Sequence, residues 1–174
     1  MEAQETKIHK LETFSKLNLE GNIEIHLVEG LTATVKIKTN RTKDFQDLEI
    51  EVINNELFIA YKKDENKTPK FIVYLEHTGI DKISMSGLIS LFSEDMIKGA
   101  HLTLKGSGII KGVVEVEVKH LRIDADGITN LSILGTTDSA IFNIDGLGKI
   151  NAKKLEARSV QQHSDGFAKV KVGS

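Results

Sequence analysis

A chain of 174 residues and 19.2 kDa has the length of one domain, and its formal net charge of −2 lacks the single-sign field that draws proteins to nucleic acid. It contains no Cys, no Trp and one proline, Pro69, which excludes a disulfide scaffold, a cysteine-zinc centre and a cysteine nucleophile. Ile, Val and Thr number 20, 11 and 12, an excess that favours an all-β protein, because branched side chains lose less freedom on a pleated surface than in a helix.

Residues Met1 to Lys10 are polar and show no signal-peptide core, and no apolar stretch approaches the ~20 residues of a membrane helix. Either the protein stays in the cytosol, or a signal has been removed from this form. Leu17-Asn18-Leu19-Glu20-Gly21-Asn22-Ile23 is an alternating run broken by a glycine. Thr34 to Lys38 alternates as a strand does, and Arg41 to Asp47 suits one short helical turn. Leu48 to Ile53 and Leu57 to Tyr61 flank Asn54-Asn55-Glu56, where asparagine tolerates the left-handed conformation; this predicts an antiparallel hairpin. Lys62 to Lys70 is a polar loop, and Phe71 to Leu75 is a further strand. Residues 1–80 are therefore expected to form a block of strands and a hairpin that caps or extends whatever follows.

From residue 81 the chain repeats. Three glycines fall in residues 1–80 and eleven between Gly87 and Gly173. One template recurs: apolar, x, apolar, x, small, x, then Gly or apolar. Its copies begin at Ile83, Leu102, Leu121, Phe142 and Val160, with the small residue at 87, 106, 125, 146 and 164. The mean step is about 19 residues. The earlier run from Leu17 to Ile23 matches the copy at 83–89 position for position. A unit this short cannot bury its own apolar face, but stacking units ~4.8 Å apart buries one continuous core. The expectation is a single β-solenoid over residues 1–174, with about five 19-residue coils in 81–174. Met85, Leu104, Ile123 and Ile144 should form an inward ladder. The small residues should stack at a tight corner, with a second glycine at 108, 127, 148 and 166 supplying positive φ. Further faces follow at Val114 to Val118, Leu131 to Ile133, Leu155 to Ala157 and Val170 to Val172. A β-sandwich of ordinary hairpins would also mimic the period; recurrence of one residue class at one phase favours the solenoid.

These residues resemble the bacterial GIN-domain family, described as auto-transporter adhesin head domains. The match lies in Phe14 to Ile25, with Gly30 ending the next strand, in the Val52 to Ile59 hairpin, in the Ile83 to Gly87 strand and in the repeated small-x-Gly corners. It covers about residues 10 to 172. Only Gly106-Ser107-Gly108 keeps the family's Gly-Ser-Gly corner intact. The resemblance implies a right-handed parallel β-helix related in shape to pectate lyases. It also implies an exported protein, extracellular, cell-surface or periplasmic, whose export signal is absent from this stretch. The family has no established catalytic residues, so none carries over, and the resemblance implies no cofactor.

With Leu104 and Ile123 inward, their neighbours face out. The exposed ladder then displays Lys105, Arg122, Asp124, Asn143, Asp145 and His163 as candidate ligand-binding residues. Asp124 and Asp145 on adjacent coils would stand about 5 Å apart, the separation of a retaining glycosidase pair. With Lys105 and Arg122 they would also suit a lyase acting on an acidic polysaccharide. The simpler reading is a solvated cross-strand charge ladder. His101 and His120 occupy one phase of adjacent copies but have no apparent third metal ligand, so solvent-facing corner histidines are expected and no metal site is assigned. His9, His26, His77 and His163 show no ligating spacing. No Gly-x-Ser-x-Gly elbow exists, and no helix follows Gly106-Ser107-Gly108 to hold a phosphate. Nine aromatic residues without Trp weaken a sugar-stacking surface. The favoured expectation is a non-catalytic adhesin-like binding or structural module of the cell surface or envelope. Its partners would be surface glycans, matrix or envelope components, not nucleic acid, and a homo-oligomer through a solenoid face or end is compatible with it. The alternative is a polysaccharide lyase or hydrolase on a pectate-lyase-like β-helix.

Overall fold

A computed structural model describes residues 5–62 and 68–173. It is all-β apart from one short 3-10 helix at Thr42–Asp47, the helical turn expected there. The described strands are β1 (Glu5–Lys10), β2 (Lys16–Glu29), β3 (Thr34–Thr39), β4 (Leu48–Ile53), β5 (Glu56–Tyr61), β6 (Lys70–His77), β7 (Lys82–Ser93), β8 (Ile97–Ile144), β9 (Leu147–Ser164) and β10 (Phe167–Val172). They form one mixed sheet in the order β1-β3-β6-β2-β7-β8-β9-β10, with β4 and β5 attached beside β2. The sheet does not close, since β1 and β10 end it.

The hairpin forms where the asparagines predict it. Asn54 and Asn55 take φ of 50° and 68°, and β4 pairs antiparallel with β5 from Leu48↔Tyr61 to Ile53↔Glu56. Two positive φ values in a two-residue turn match the right-handed twist of the flanking strands. Of the polar loop that follows, residues 63–67 lie outside the described residues.

The early copy also pairs as its sequence implies. β2 runs parallel to β7 with Leu17 on Ile83, Gly21 on Gly87 and Ile23 on Ile89. On its other side β2 takes two parallel partners in succession, β5 against Lys16–Glu20 and β6 against Asn22–Glu29. Antiparallel β3 and then β1 lie beyond β6. The N-terminal block thus extends the parallel stack through β2, β5 and β6 and ends in an antiparallel edge.

Beyond β7 the chain lies on itself in parallel register every 19 to 21 residues. β7 lies on β8 with Gly87 against Gly108, β8 lies on β9 with Ile128 against Leu147, and β10 lies on β9 with Phe167 against Leu147. Within β8 the carbonyl oxygen of Gly108 occupies the space that a Cβ on Gly127 would need. The same contact recurs between Gly21 and Gly87, Gly87 and Gly108, Gly127 and Gly146, and Gly146 and Gly166. Gly108 and Gly127 take φ of 106° and 98°, so the column needs glycine for its conformation as well as its size.

This column corrects the expected phase of the repeat. The stacked residues are 21, 87, 108, 127, 146 and 166, not 87, 106, 125, 146 and 164. What stacks at the corner is the positive-φ glycine, and in three copies it lies two residues past the small residue of the template. The inward ladder shifts with it. Met85 lies on Gly106, and Ile83 lies on Leu104. The glycine register continues these rows as Met85-Gly106-Ala125-Ile144 and Ile83-Leu104-Ile123-Phe142. Gly106 is small because its own strand fills the space: a Cβ there would meet Ile110 Cγ1 at 2.9 Å.

Inward positions alternate along each run, as in Val114, Val116 and Val118, and the buried side chains make one hydrophobic cluster from Phe14 to Ala168. Outward positions in successive rows align into columns, and those columns carry the polar chemistry.

Candidate functional site on the outer face

Ser84 pairs with Lys105, and Asn143 pairs with His163. The glycine register between them places Lys105, Asp124, Asn143 and His163 in one outward column. Arg122 stands two residues before Asp124 and folds back on it, its Nε donating to Oδ2 at 2.8 Å. Asn143 Nδ2 donates to Oδ1 of the same carboxylate at 2.8 Å. Both oxygens of Asp124 are therefore engaged. Its partial burial raises the cost of ionisation, yet the hydrogen bonds from Arg122 and Asn143 and the charges of Arg122 and Lys105 outweigh that cost. They hold the carboxyl below its ordinary value. Ser84, Lys105, Arg122, Asp124, Asn143 and Asp145 line one shallow, open depression of about 570 Å³.

Two sequence expectations change here. Asp124 and Asp145 are not partners across adjacent rows. Asp124 faces Asn143, while the Asp145 N–H donates to the Ala125 carbonyl, the bond that sets Asp145 beside Asp126. The cause is again the two-residue phase of the glycine column. His163 shares the column but not the depression: it is well exposed and its Nε2 lies 3.4 Å from Asp165. His101 and His120 each face a separate partner, Asp81 at 3.8 Å and Ser139 at 2.7 Å. Among the described residues no group of three His, Asp or Glu side chains is placed to hold a metal ion.

A second cluster escaped the sequence reading. Tyr74, His26 and Phe92 lie in register on β6, β2 and β7, and their rings stack with centroids 5.1 and 5.3 Å apart at 16° and 18°. Lys38 Nζ sits 5.4 Å over the Tyr74 ring. His26 Nδ1 contacts Glu94 at 2.6 Å and Nε2 contacts Glu24 at 3.0 Å. Only the doubly protonated ring can donate to both carboxylates. Burial pushes the His26 pKa down, but the bonds to Glu24 and Glu94 more than reverse this, and it lies above the ordinary 6.5. Glu24 is held low by His26 first, against its partial burial, with help from Lys70 at 3.4 Å. The missing signal was present in the sequence: His26 and Phe92 hold one phase of the two matched copies. A third outer surface, a groove of about 680 Å³, interleaves Lys98, Glu117, Lys119, Asp138, Glu156 and Arg158.

No helix among the described residues is long and apolar enough to cross a membrane. Solved structures share the fold. One from Bacteroides fragilis NCTC 9343, described as "a putative adhesin", superposes with a TM-score of 0.90 at 18% identity, over 98% of this chain and 80% of that one. Another so described, from Parabacteroides merdae ATCC 43184, gives 0.66 at 18% identity over 97% and 80%. A "putative lipid binding protein" from Parabacteroides distasonis ATCC 8503 gives 0.65 at 16% over 98% and 95%. A search of curated proteins found no match. The family model described as "Putative auto-transporter adhesin, head GIN domain" matches residues 13–174, and the chain belongs to that family.

Proposed function

We propose that the chain is an exported, non-catalytic binding module of the cell surface or envelope. It is built as a right-handed parallel β-helix whose outer column binds a polar polymer such as a surface glycan or matrix component. The parallel rows and the glycine column support the β-helix. Family membership and the adhesin descriptions of structural neighbours support the adhesin-like role. The carrying observation is the state of Asp124. A carboxylate saturated by two donors and held ionised is a weak proton acceptor, so it serves better as the fixed centre of a recognition surface than as a general base. Around it Lys105, Arg122, Asn143 and Asp145 present donors and acceptors on an open face suited to a long chain of sugar units.

Binding to an array of acidic and neutral glycans and matrix proteins tests this. Lys105→Ala and Arg122→Ala should each weaken the retained ligand at least about tenfold, the scale of losing a charge-assisted hydrogen bond. Cleavage of an acidic polysaccharide that disappears in Asp124→Asn would overturn the proposal in favour of the lyase or hydrolase.

A further inference from the structure

From Gly87 onward the residue that follows each corner glycine is apolar and faces out, whereas Asn22 follows Gly21. Leu88, Ile109, Ile128, Leu147 and Phe167 are 40, 44, 45, 48 and 82% exposed. They form one column: Leu88 lies on Ile109, Ile128 on Leu147 and Leu147 on Phe167, and the Gly108–Gly127 contact joins Ile109 to Ile128. Five rows at ~4.8 Å give a stripe about 19 Å long. It exposes on the order of 500 Å² of apolar surface, a size at which a monomer's largest patch is often functional.

The stripe is bordered by opposite charges. The outward residue before each corner glycine forms a column that ends Asp126, Asp145, Asp165, in register by the bonds from Asp145 N–H to Ala125 O and from Asp165 N–H to Ile144 O. The next outward residue on the other side forms a column containing Lys111, Lys149 and Lys169, with Lys149 on Lys169. All six are exposed. Stacked aspartates repel one another at strand spacing. Among the described residues the Asp165 carboxylate pairs with the exposed His163, and no ion pair of the others is seen.

We infer that this stripe is the interface with a second copy of this chain, the two stripes packing side by side about a two-fold axis parallel to their length. That axis keeps each row level with the same row of its partner and exchanges left for right. The aspartate column of each copy then meets the lysine column of the other, and Asp145 stands opposite the partner's Lys149. A two-fold axis across the stripe would set aspartates on aspartates and lysines on lysines, so charge selects the parallel arrangement. The apolar stripe with its two charged borders approaches the ~800 Å² per partner of a standard interface. The inference does not rest on the proposed glycan-binding column, which adjoins the aspartate border and shares Asp145 with it.

Sedimentation velocity of the 174-residue chain across micromolar concentrations should show a species of twice 19.2 kDa. Leu147→Glu, at a half-exposed position, should weaken dimerisation at least tenfold while far-UV circular dichroism stays unchanged. Asp145→Lys and Lys149→Asp should each weaken it, and the double variant should restore it. A monomer at all concentrations overturns the inference. So does a dimer indifferent to Leu147→Glu, or charge reversals that fail to weaken it singly or to restore it together, as expected if like columns faced each other across a crosswise axis. A monomer that instead captures phospholipid vesicles through Leu147 also overturns it, in favour of a membrane-docking stripe.

Discussion

At the scale of single residues, the informative side chains are those whose protonation the fold has displaced. His26 binds its proton more tightly folded than unfolded, so its stabilisation is whole below pH 6.5 and is lost as pH rises through the native value. His77 is the opposite case. It is buried, its Nδ1 has no partner, and burial lowers its pKa despite the charges of Glu29 and Asp95. Its folded form is neutral, so stability falls as pH drops below 6.5 and the unfolded chain takes up the proton. Thermal melts between pH 5 and 9 should therefore show the gap between wild type and His26→Gln widest at the acidic end and closing as pH rises. His77→Leu should flatten the acid limb. For Asp124, Asn143→Ala removes one of two donors, and carboxyl NMR titration should show its pKa rising toward 3.8. Lys105, Arg122, Asp124 and Asn143 were legible as outward residues because alternation fixes which way a strand residue faces. The pairing of Asp124 with Asn143 was not, because it depends on a register offset of two residues that alternation leaves unchanged.

At the scale of elements, the corner glycines decide which row lies on which. Gly127→Ala forces a Cβ onto the Gly108 carbonyl at a φ of 98° and should cost about 3 kcal/mol. Gly106→Ala meets only the flexible Ile110 side chain and should cost about 1 kcal/mol. Chemical denaturation of the two variants measures the difference, and equal losses would mean that size alone holds the corner. The hairpin at Asn54-Asn55 was readable because its signal is local: two residues that tolerate positive φ between two alternating runs. The true corner residue was less so, since Gly, Ala and Ser share the small class while only glycine accepts that backbone. The Asp-Gly-apolar pattern at 126–128, 145–147 and 165–167 marks the correct phase in the sequence itself.

At the scale of the whole molecule, stability rests on contacts between residues far apart in the chain. β2 pairs with β7 through Gly21 and Gly87, and the intervening hairpin and β6 return to cover its other side. Loop closure must precede such pairings, so refolding from denaturant should take milliseconds to seconds or longer by stopped-flow circular dichroism. Full amplitude within a microsecond burst would contradict this.

The all-β class, the repeat of about 19 residues, the place of Leu17 to Ile23 in that repeat and the side chains that face out are all legible in the amino-acid sequence. Each of these is written in local alternation and in residue class. The contact that enforces the offset between rows exists only in three dimensions, where one glycine's carbonyl fills the space of the next one's missing Cβ. From that contact follow the company Asp124 keeps and the apolar stripe between its columns of opposite charge.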